Sequence, residues 1–349
     1  MIADEATFNE EHLYECRETL QNVLSDSVYN VRVCFGIYRT DNMNESLSFM
    51  CDKASFAVAS IKDDTHSFIA YYDDTMLEAA IKYKTIVDEF DDAIKAGEFK
   101  MYLQPQISAK TRRLTGAEAL VRRIKPDGTI ISPIDFIPVY EKSGLISRLD
   151  RYIWEQAAAK LGEWKKAGIN MSISVNISPK DFYYIDIFNT FAGLIKKYDI
   201  EPSNLKIEIT ETTIMSDVPN LMGELEELRK AGFTLEMDDF GSGYSSLNTL
   251  KDINVDVLKV DMGFIKETKN VKKSRIILAS VIKMAKELNL LIITEGVETE
   301  EQVDNLTKLG CDVFQGYYFS KAIDVNEFEK RYLYLSLIHI SEPTRHAQI

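Results

Sequence analysis

From about residue 98 onward the chain repeats one phrase: an amphipathic helical stretch, a Gly or Asn stop, a short β-rich run, and a polar residue at its end. In RLDRYIWEQAAAKLGEWKKAG, residues Leu149, Ile153, Ala157, Leu161 and Trp164 recur at helical spacing. Gly168 supplies the left-handed stop, and MSISVN follows, ending at Asn176. The phrase recurs as NLMGELEELRKAG, stopping at Gly232 before FTLEMDD, and as KSRIILASVIKMAKELN, stopping near Asn289 before LLIITE. A further copy, EEQVDNLTKLG, stops at Gly310 before CDVFQG.

With FKMYLQPQ, LTGAEAL, LKIEITE and VDVLKVD these make about eight strand-like runs, and their alternation with helices predicts a mainly parallel sheet. Eight units in about 240 residues predict an α/β fold, a TIM-type (β/α)8 barrel over residues 98–334. Residues 1–80 lack the phrase and predict a separate α+β segment: a strand in NVRVCFGIY, a helix in SLSFMCDKASFAVASI and a strand in HSFIAYY. Thr75 to Gly97 predicts one long helix running toward the barrel, with 81–97 as the link between the two regions. Residues 335–349 are expected to be a non-native tail. Leu335 to Arg345 (LSLIHISEPTR) resembles the in-frame translation of a sequencing-library adapter, so that Pro343, His339 and His346 carry no function and the natural C-terminus is missing.

Composition narrows the chemistry. The formal net charge of −14 argues against a basic face for a nucleic-acid polymer, and an anionic substrate would need bound cations. No apolar run approaches the roughly 20 residues of a membrane helix, and the first residues lack a signal peptide's pattern, so the expected location is cytoplasmic with no membrane contact. Cys16, Cys34, Cys51 and Cys311 have no pairing or metal-ligand spacing and read as free thiols. Histidine is absent from residues 67–338, which excludes histidine acid–base chemistry there and leaves oxygen ligands for any metal: Mg²⁺, Mn²⁺ or Ca²⁺.

In a barrel of this type the strand C-termini share one mouth. There the sequence places Glu118, Asn176, Glu208 with Glu211, Asp238 with Asp239, Lys259 with Asp261, Glu295 with Glu298, and Gln315. One acidic strand end is usually a cap or a solvated turn. So many at one mouth would repel unless cations neutralised them, and the adjacent Asp238 and Asp239 suit a ligand bridging two metals. Such a centre supports in-line phosphodiester hydrolysis, with Lys259 orienting water or stabilising charge, or simply paired with Asp261.

Glu118-Ala119-Leu120, within EALVRR, resembles the signature of EAL-family cyclic di-GMP phosphodiesterases. The likeness continues through YLQPQ, SPIDFIPVYEKSGLI, SVNIS, IEITE, DDFGSGYSSL, LKVD, EGVE and QGYYFS, in order, to about Ile323. It implies that two Mg²⁺ or Mn²⁺ ions are held by Glu118, Asn176, Glu208, Asp238, Asp239 and Glu295, with Lys259 and Gln315 acting on the water and its surroundings. It further implies that Glu211 holds the DFGSGYSSL loop, in which Gly241 and Gly243 permit a tight path, and that Gln104, Arg122 and Asp261 contact substrate.

Three positions depart from the family pattern, Arg123, Met262 and Ala322, where an aromatic, an arginine and a proline are usual. None matches a metal ligand. The expected activity is hydrolysis of cyclic di-GMP to linear pGpG by a homodimer; the alternative is a silent EAL receptor acting through partners. A glycerophosphodiester substrate is less favoured by the motif series, and purely structural acidic caps by the rarity of carboxylates clustering without a counter-ion.

The first region resembles the second half of a GGDEF domain through FGIY, DKASFAVASIK and YYDD. It lacks the GGDEF motif itself, of which Ala3-Asp4-Glu5 would be a decayed remnant. The resemblance implies a truncated module that makes no cyclic di-GMP.

Overall fold

The computed structural model describes residues 8–24, 32–40, 44–62, 64, 66–216, 218–241, 250, 251, 253–261 and 271–334. Ala3-Asp4-Glu5, Gly243 with residues 242–249, Met262 and the tail 335–349 lie outside the described residues. The chain divides into two compact units, Met1–Glu89 and Phe90–Ile349.

The first unit contains α1 (Glu10–Leu24), β1 (Phe35–Ile37), α2 (Leu47–Ser60), β2 (Ile69–Tyr71) and α3 (Asp74–Asp88). β1 and β2 pair in parallel, Phe35 against Ile69, so α2 serves as their crossover. Gly36 lets α2 lie hard against β1, because a Cβ there would meet the Ala54 carbonyl oxygen. Lys53 is held beneath by Tyr38, whose hydroxyl accepts from its Nζ at 2.8 Å, and by Glu45 at 3.1 Å. The single helix expected over Thr75 to Gly97 is two helices, α3 and α4 (Phe90–Lys95), interrupted at Glu89. Phe90 is buried in the second unit among Phe99 and Tyr140, and that anchoring coincides with the break.

In the second unit the ring strands are β3 (Phe99–Ser108), β4 (Leu114–Ile124), β6 (Ile173–Ile177), β7 (Leu205–Thr210), β8 (Leu235–Asp238), β9 (Val257–Asp261), β10 (Leu291–Glu295) and β11 (Val313–Phe314). They pair in that order, and β11 returns to β3, so the eight strands close on themselves. Two short strands lie off the ring: β5 (Ile130–Ile131) extends the end of β4, and β12 (Ile323–Asp324) pairs with β3. Six adjacent pairs, from β4–β6 to β10–β11, are parallel.

β3 runs against both its neighbours. Its connection to β4 is only the short turn between Ser108 and Leu114, closed by the Ser108 amide on the Arg113 carbonyl at 2.9 Å. A parallel pair would need a crossover of a dozen or more residues, so this spacing dictates a hairpin.

The helices around the ring are α5 (Pro133–Ser143), α6 (Ile146–Lys166), α7 (Asp181–Tyr184), α8 (Ile187–Tyr198), α9 (Glu211–Met215), α10 (Leu221–Lys230), α11 (Val271–Glu287), α12 (Glu300–Leu309) and α13 (Val325–Phe328). On α6 the apolar stripe Leu149, Ile153, Ala157, Leu161 and Trp164 is buried, as its helical spacing requires. Gly168, at φ 76°, ends this helix and turns the chain into β6. Trp154 of α6 packs on Phe191 of α8, and its Nε1 donates to the Asn176 carbonyl oxygen at 2.9 Å, which fixes the end of β6. No helix among the described residues is long and apolar enough to cross a membrane.

Candidate active site

Successive side chains on a strand point to opposite faces, so a polar residue with apolar flanks is delivered into the ring. Lys259 is such a residue, set between Leu258 and Val260 and almost fully buried. Its ammonium lies 2.9 Å from Glu295 Oε1, 3.0 Å from Glu208 Oε2, 3.3 Å from Asp238 Oδ1 and 3.5 Å from Glu118 Oε2. Four strands thus converge on one cation supplied by a fifth. Asn176 donates from Nδ2 to Glu118 Oε1 at 3.2 Å, and Gln315 donates from Nε2 to Glu118 Oε2. The Gln315 amide also reaches Gln104 Oε1 at 3.3 Å and accepts from Gln106 Nε2 at 3.2 Å.

The electrostatics follow from that crowding. Burial would lower the Lys259 pKa, but the charges of Glu118, Glu208, Glu295 and Asp238 overcome it and hold the ammonium protonated well above the usual lysine range. Burial, then the charge of Glu118, pushes the Glu208 carboxyl well up, with Lys259 opposing. Glu295 is pushed up to about 8 by burial, again opposed by Lys259. Asp239 is raised by burial and then by Asp238 beside it. Its backbone is left-handed, at φ 55°, and its amide donates to Asp238 Oδ1 at 2.9 Å.

This arrangement fits divalent cations. Five carboxylates, those of Glu118, Glu208, Asp238, Asp239 and Glu295, accompany one ammonium, so full ionisation leaves four negative charges, the number that two divalent cations neutralise. As an ionised group Glu208 has Oε1 buried without a donor, while Oε2 has only the Lys259 ion pair at 3.0 Å. The donors are all oxygens, with no histidine or cysteine among them, which suits hard cations. Among the described residues no three acidic groups yet form a ready-made cation cage, and four of these five carboxylates ion-pair with Lys259 instead.

A pH dependence follows for the metal-free chain. Glu295 keeps its proton to about pH 8 when folded but has a reference value of 4.5, so its contribution to stability is complete below the lower value and is lost as pH rises through the higher. The melting temperature of the chelator-treated chain is expected to fall between about pH 5 and pH 8, and Glu295→Gln to flatten that fall. An unchanged slope in the variant would remove this residue as its source.

Other expected site residues are placed as follows. Gln104 is the register partner of Glu118 across β3 and β4, and its Nε2 donates to the Ser320 carbonyl oxygen at 3.2 Å. Arg122 lies farther along β4, donating to its own neighbour's carbonyl, that of Val121, at 2.7 Å and standing over the Tyr102 ring. Asp261 is the register partner of Glu295. Glu211 is buried as the first residue of α9; of the loop it was expected to hold, which begins at Asp239, residues from 242 onward lie outside the described residues. Glu298 is exposed before α12, and its amide donates to Gln302 at 2.7 Å. Arg123, the departure after the signature, is buried against Glu98 at 2.9 Å.

Sequence reading missed Gln106, Ser174, Lys206 and Glu236. Gln106 had a detectable signal, since it falls two residues after Gln104 and therefore shares its face.

The pattern of the EAL domain matches residues 87–322. The signaling protein YkoW of Bacillus subtilis is 34% identical over 278 residues, covering 80% of this chain and 35% of its own length. MucR of Pseudomonas aeruginosa, a bifunctional diguanylate cyclase/cyclic di-GMP phosphodiesterase, is 28% identical over 326 residues, 93% of this chain and 47% of MucR. The solved structure of the PaMucR phosphodiesterase in complex with c-di-GMP superposes with a TM-score of 0.66 at 32% identity, covering 70% of this chain and 99% of that one. The chain therefore spans less than half the length of these two curated relatives. Because the matched segment takes in every strand of the closed ring, from β3 to β11, the chain belongs to the EAL domain family.

Proposed function

We propose that the chain hydrolyses cyclic di-GMP to linear pGpG with two divalent cations, Mg²⁺ or Mn²⁺, at the barrel mouth. The observation that carries this reading is the group of five carboxylates around the buried Lys259, with an excess of charge that two such ions neutralise. Relatives in the family are cyclic di-GMP phosphodiesterases, and such enzymes are generally divalent-metal dependent.

Glu118, Asn176, Glu208, Asp238, Asp239 and Glu295 would hold the ions. Bound there, the ions would polarise the phosphodiester and lower the pKa of a water between them. Lys259 keeps a fixed positive charge beside the reacting phosphate, where negative charge develops. Gln315 orients Glu118 through its amide and is itself held by Gln104 and Gln106. Arg122, Gln104 and Asp261 line the approach of the dinucleotide, with Arg122 suited to a phosphate. On the family resemblance Glu211 would support the loop that begins at Asp239. On the same reading the protein is a cytoplasmic homodimer, and the β1–α2–β2 unit supports a degenerate GGDEF-like remnant without cyclase activity.

Metal exchange tests the reading. After chelation the chain is expected to be inactive, Mg²⁺ or Mn²⁺ to restore pGpG formation, and Ca²⁺ to inhibit, because its larger and more flexible coordination sphere holds water less tightly in place. Hydrolysis that survives chelation, or that runs as fast with Ca²⁺ as with Mg²⁺, would overturn it.

A further inference from the structure

Beneath the carboxylate cluster lies a second buried charge pair. Glu236 of β8 is fully buried, and both its oxygens are taken: Oε1 by Lys206 Nζ at 2.9 Å and Oε2 by the Ser174 hydroxyl at 2.8 Å. Lys206 and Ser174 are register partners on β7 and β6, and Glu236 is the register partner of Glu208. Lys206 precedes Glu208 by two residues, so both side chains leave β7 on the same face. Two carboxylates therefore stand side by side in a dry interior. One has its hydrogen-bonding capacity filled; the other, Glu208, when ionised has Oε1 buried without a donor and Oε2 facing the Lys259 ammonium at 3.0 Å.

We infer that Glu236, locked by Lys206 and Ser174, is a positioning residue for Glu208. This rests on the reading of Glu208 as a metal ligand. Glu236 stands beside Glu208 with both its own oxygens already accepting, so it offers the ionised Glu208 carboxylate no donor, and the favourable partners of that carboxylate are the Lys259 ammonium and a cation at the mouth. Lys206 and Ser174 prevent Glu236 from turning upward to compete as a ligand. Supporting partners of metal ligands act in this way, by fixing orientation. A purely space-filling pair would be replaceable by apolar side chains without consequence for the metal, since buried ion pairs often exchange for apolar ones at little cost to stability.

The test is Mn²⁺ titration of the full chain, read as free Mn²⁺ by electron paramagnetic resonance with no substrate present. The double variant Lys206→Met with Glu236→Leu removes the pair while keeping its bulk, and Glu236→Gln changes one charge should the double variant not fold. Each folded variant is expected to bind Mn²⁺ about 10–100-fold more weakly than wild type, the range for lost supporting partners. Wild-type Mn²⁺ affinity in a folded variant would overturn the inference. Wild type that binds Mn²⁺ without hydrolysing cyclic di-GMP would sink the proposed function, yet these affinities would still decide the role of Glu236. Wild type that takes up no Mn²⁺ would overturn both.

Discussion

Replacing Glu118 by alanine is expected to lower cyclic di-GMP turnover by at least about 100-fold, the upper end of what the loss of a mere supporting partner costs a metal site. Glu118 does more than add charge. Its Oε1 fixes Asn176 and its Oε2 fixes Gln315, while Lys259 sits 3.5 Å away, so one carboxylate ties together β4, β6, β9 and the residue after β11. The alanine variant removes the carboxylate partner of both amides at once. Initial rates with saturating Mg²⁺ measure the effect, and a variant within tenfold of wild type would contradict the proposed role.

The second large effect concerns stability. Lys259→Met removes the ammonium from among four carboxylates while keeping a side chain of similar length. Breaking a buried ion pair by removing one partner costs roughly 3–5 kcal/mol, because the remaining charges are left uncompensated or must take up protons. The chelated variant is therefore expected to unfold at markedly lower urea than chelated wild type. Added Mg²⁺ should recover more stability in the variant than in wild type, since binding to the folded state stabilises it by mass action and the ions then supply the missing positive charge. A loss below about 1 kcal/mol without metal would show that the carboxylates do not depend on Lys259. Turnover should fall as well, as the fixed charge beside the phosphate is gone.

Much of this site is legible in the sequence because barrel geometry sends strand ends to a common mouth, so a carboxylate at the end of LTGAE, LKIE, LEMD or LIITE needs only the correct strand assignment. What the sequence cannot reveal is which of those groups meet. The four partners of Lys259 come from four different strands, and their approach depends on the stagger of the closed ring, not on spacing along the chain. Glu298 illustrates the converse: it lies three residues past Glu295, yet it is exposed beside the cap of α12.

The Lys206–Glu236 pair was invisible for a related reason. A lysine alternating with apolar residues, as in LKIEI, normally marks the solvated face of a strand. In a closed ring that face is the interior, and the charge survives there only because Glu236 comes from the neighbouring strand. The reversed direction of β3 was within reach, since the short SAKTRR connection leaves no room for a crossover helix; the uniform repeat seen elsewhere obscured it. The break at Glu89 left no such trace, as DEFDDAIKAG continues the helical pattern without a Gly, Pro or cap between Asp88 and Phe90.

The most direct test of the account is chromatography of cyclic di-GMP incubated with the purified chain and Mg²⁺, with Glu118→Ala alongside. Linear pGpG is expected from the wild-type chain and almost none from the variant; cyclic di-GMP that is bound by the wild-type chain yet returned intact would contradict the proposed hydrolysis and make the protein a receptor for the dinucleotide.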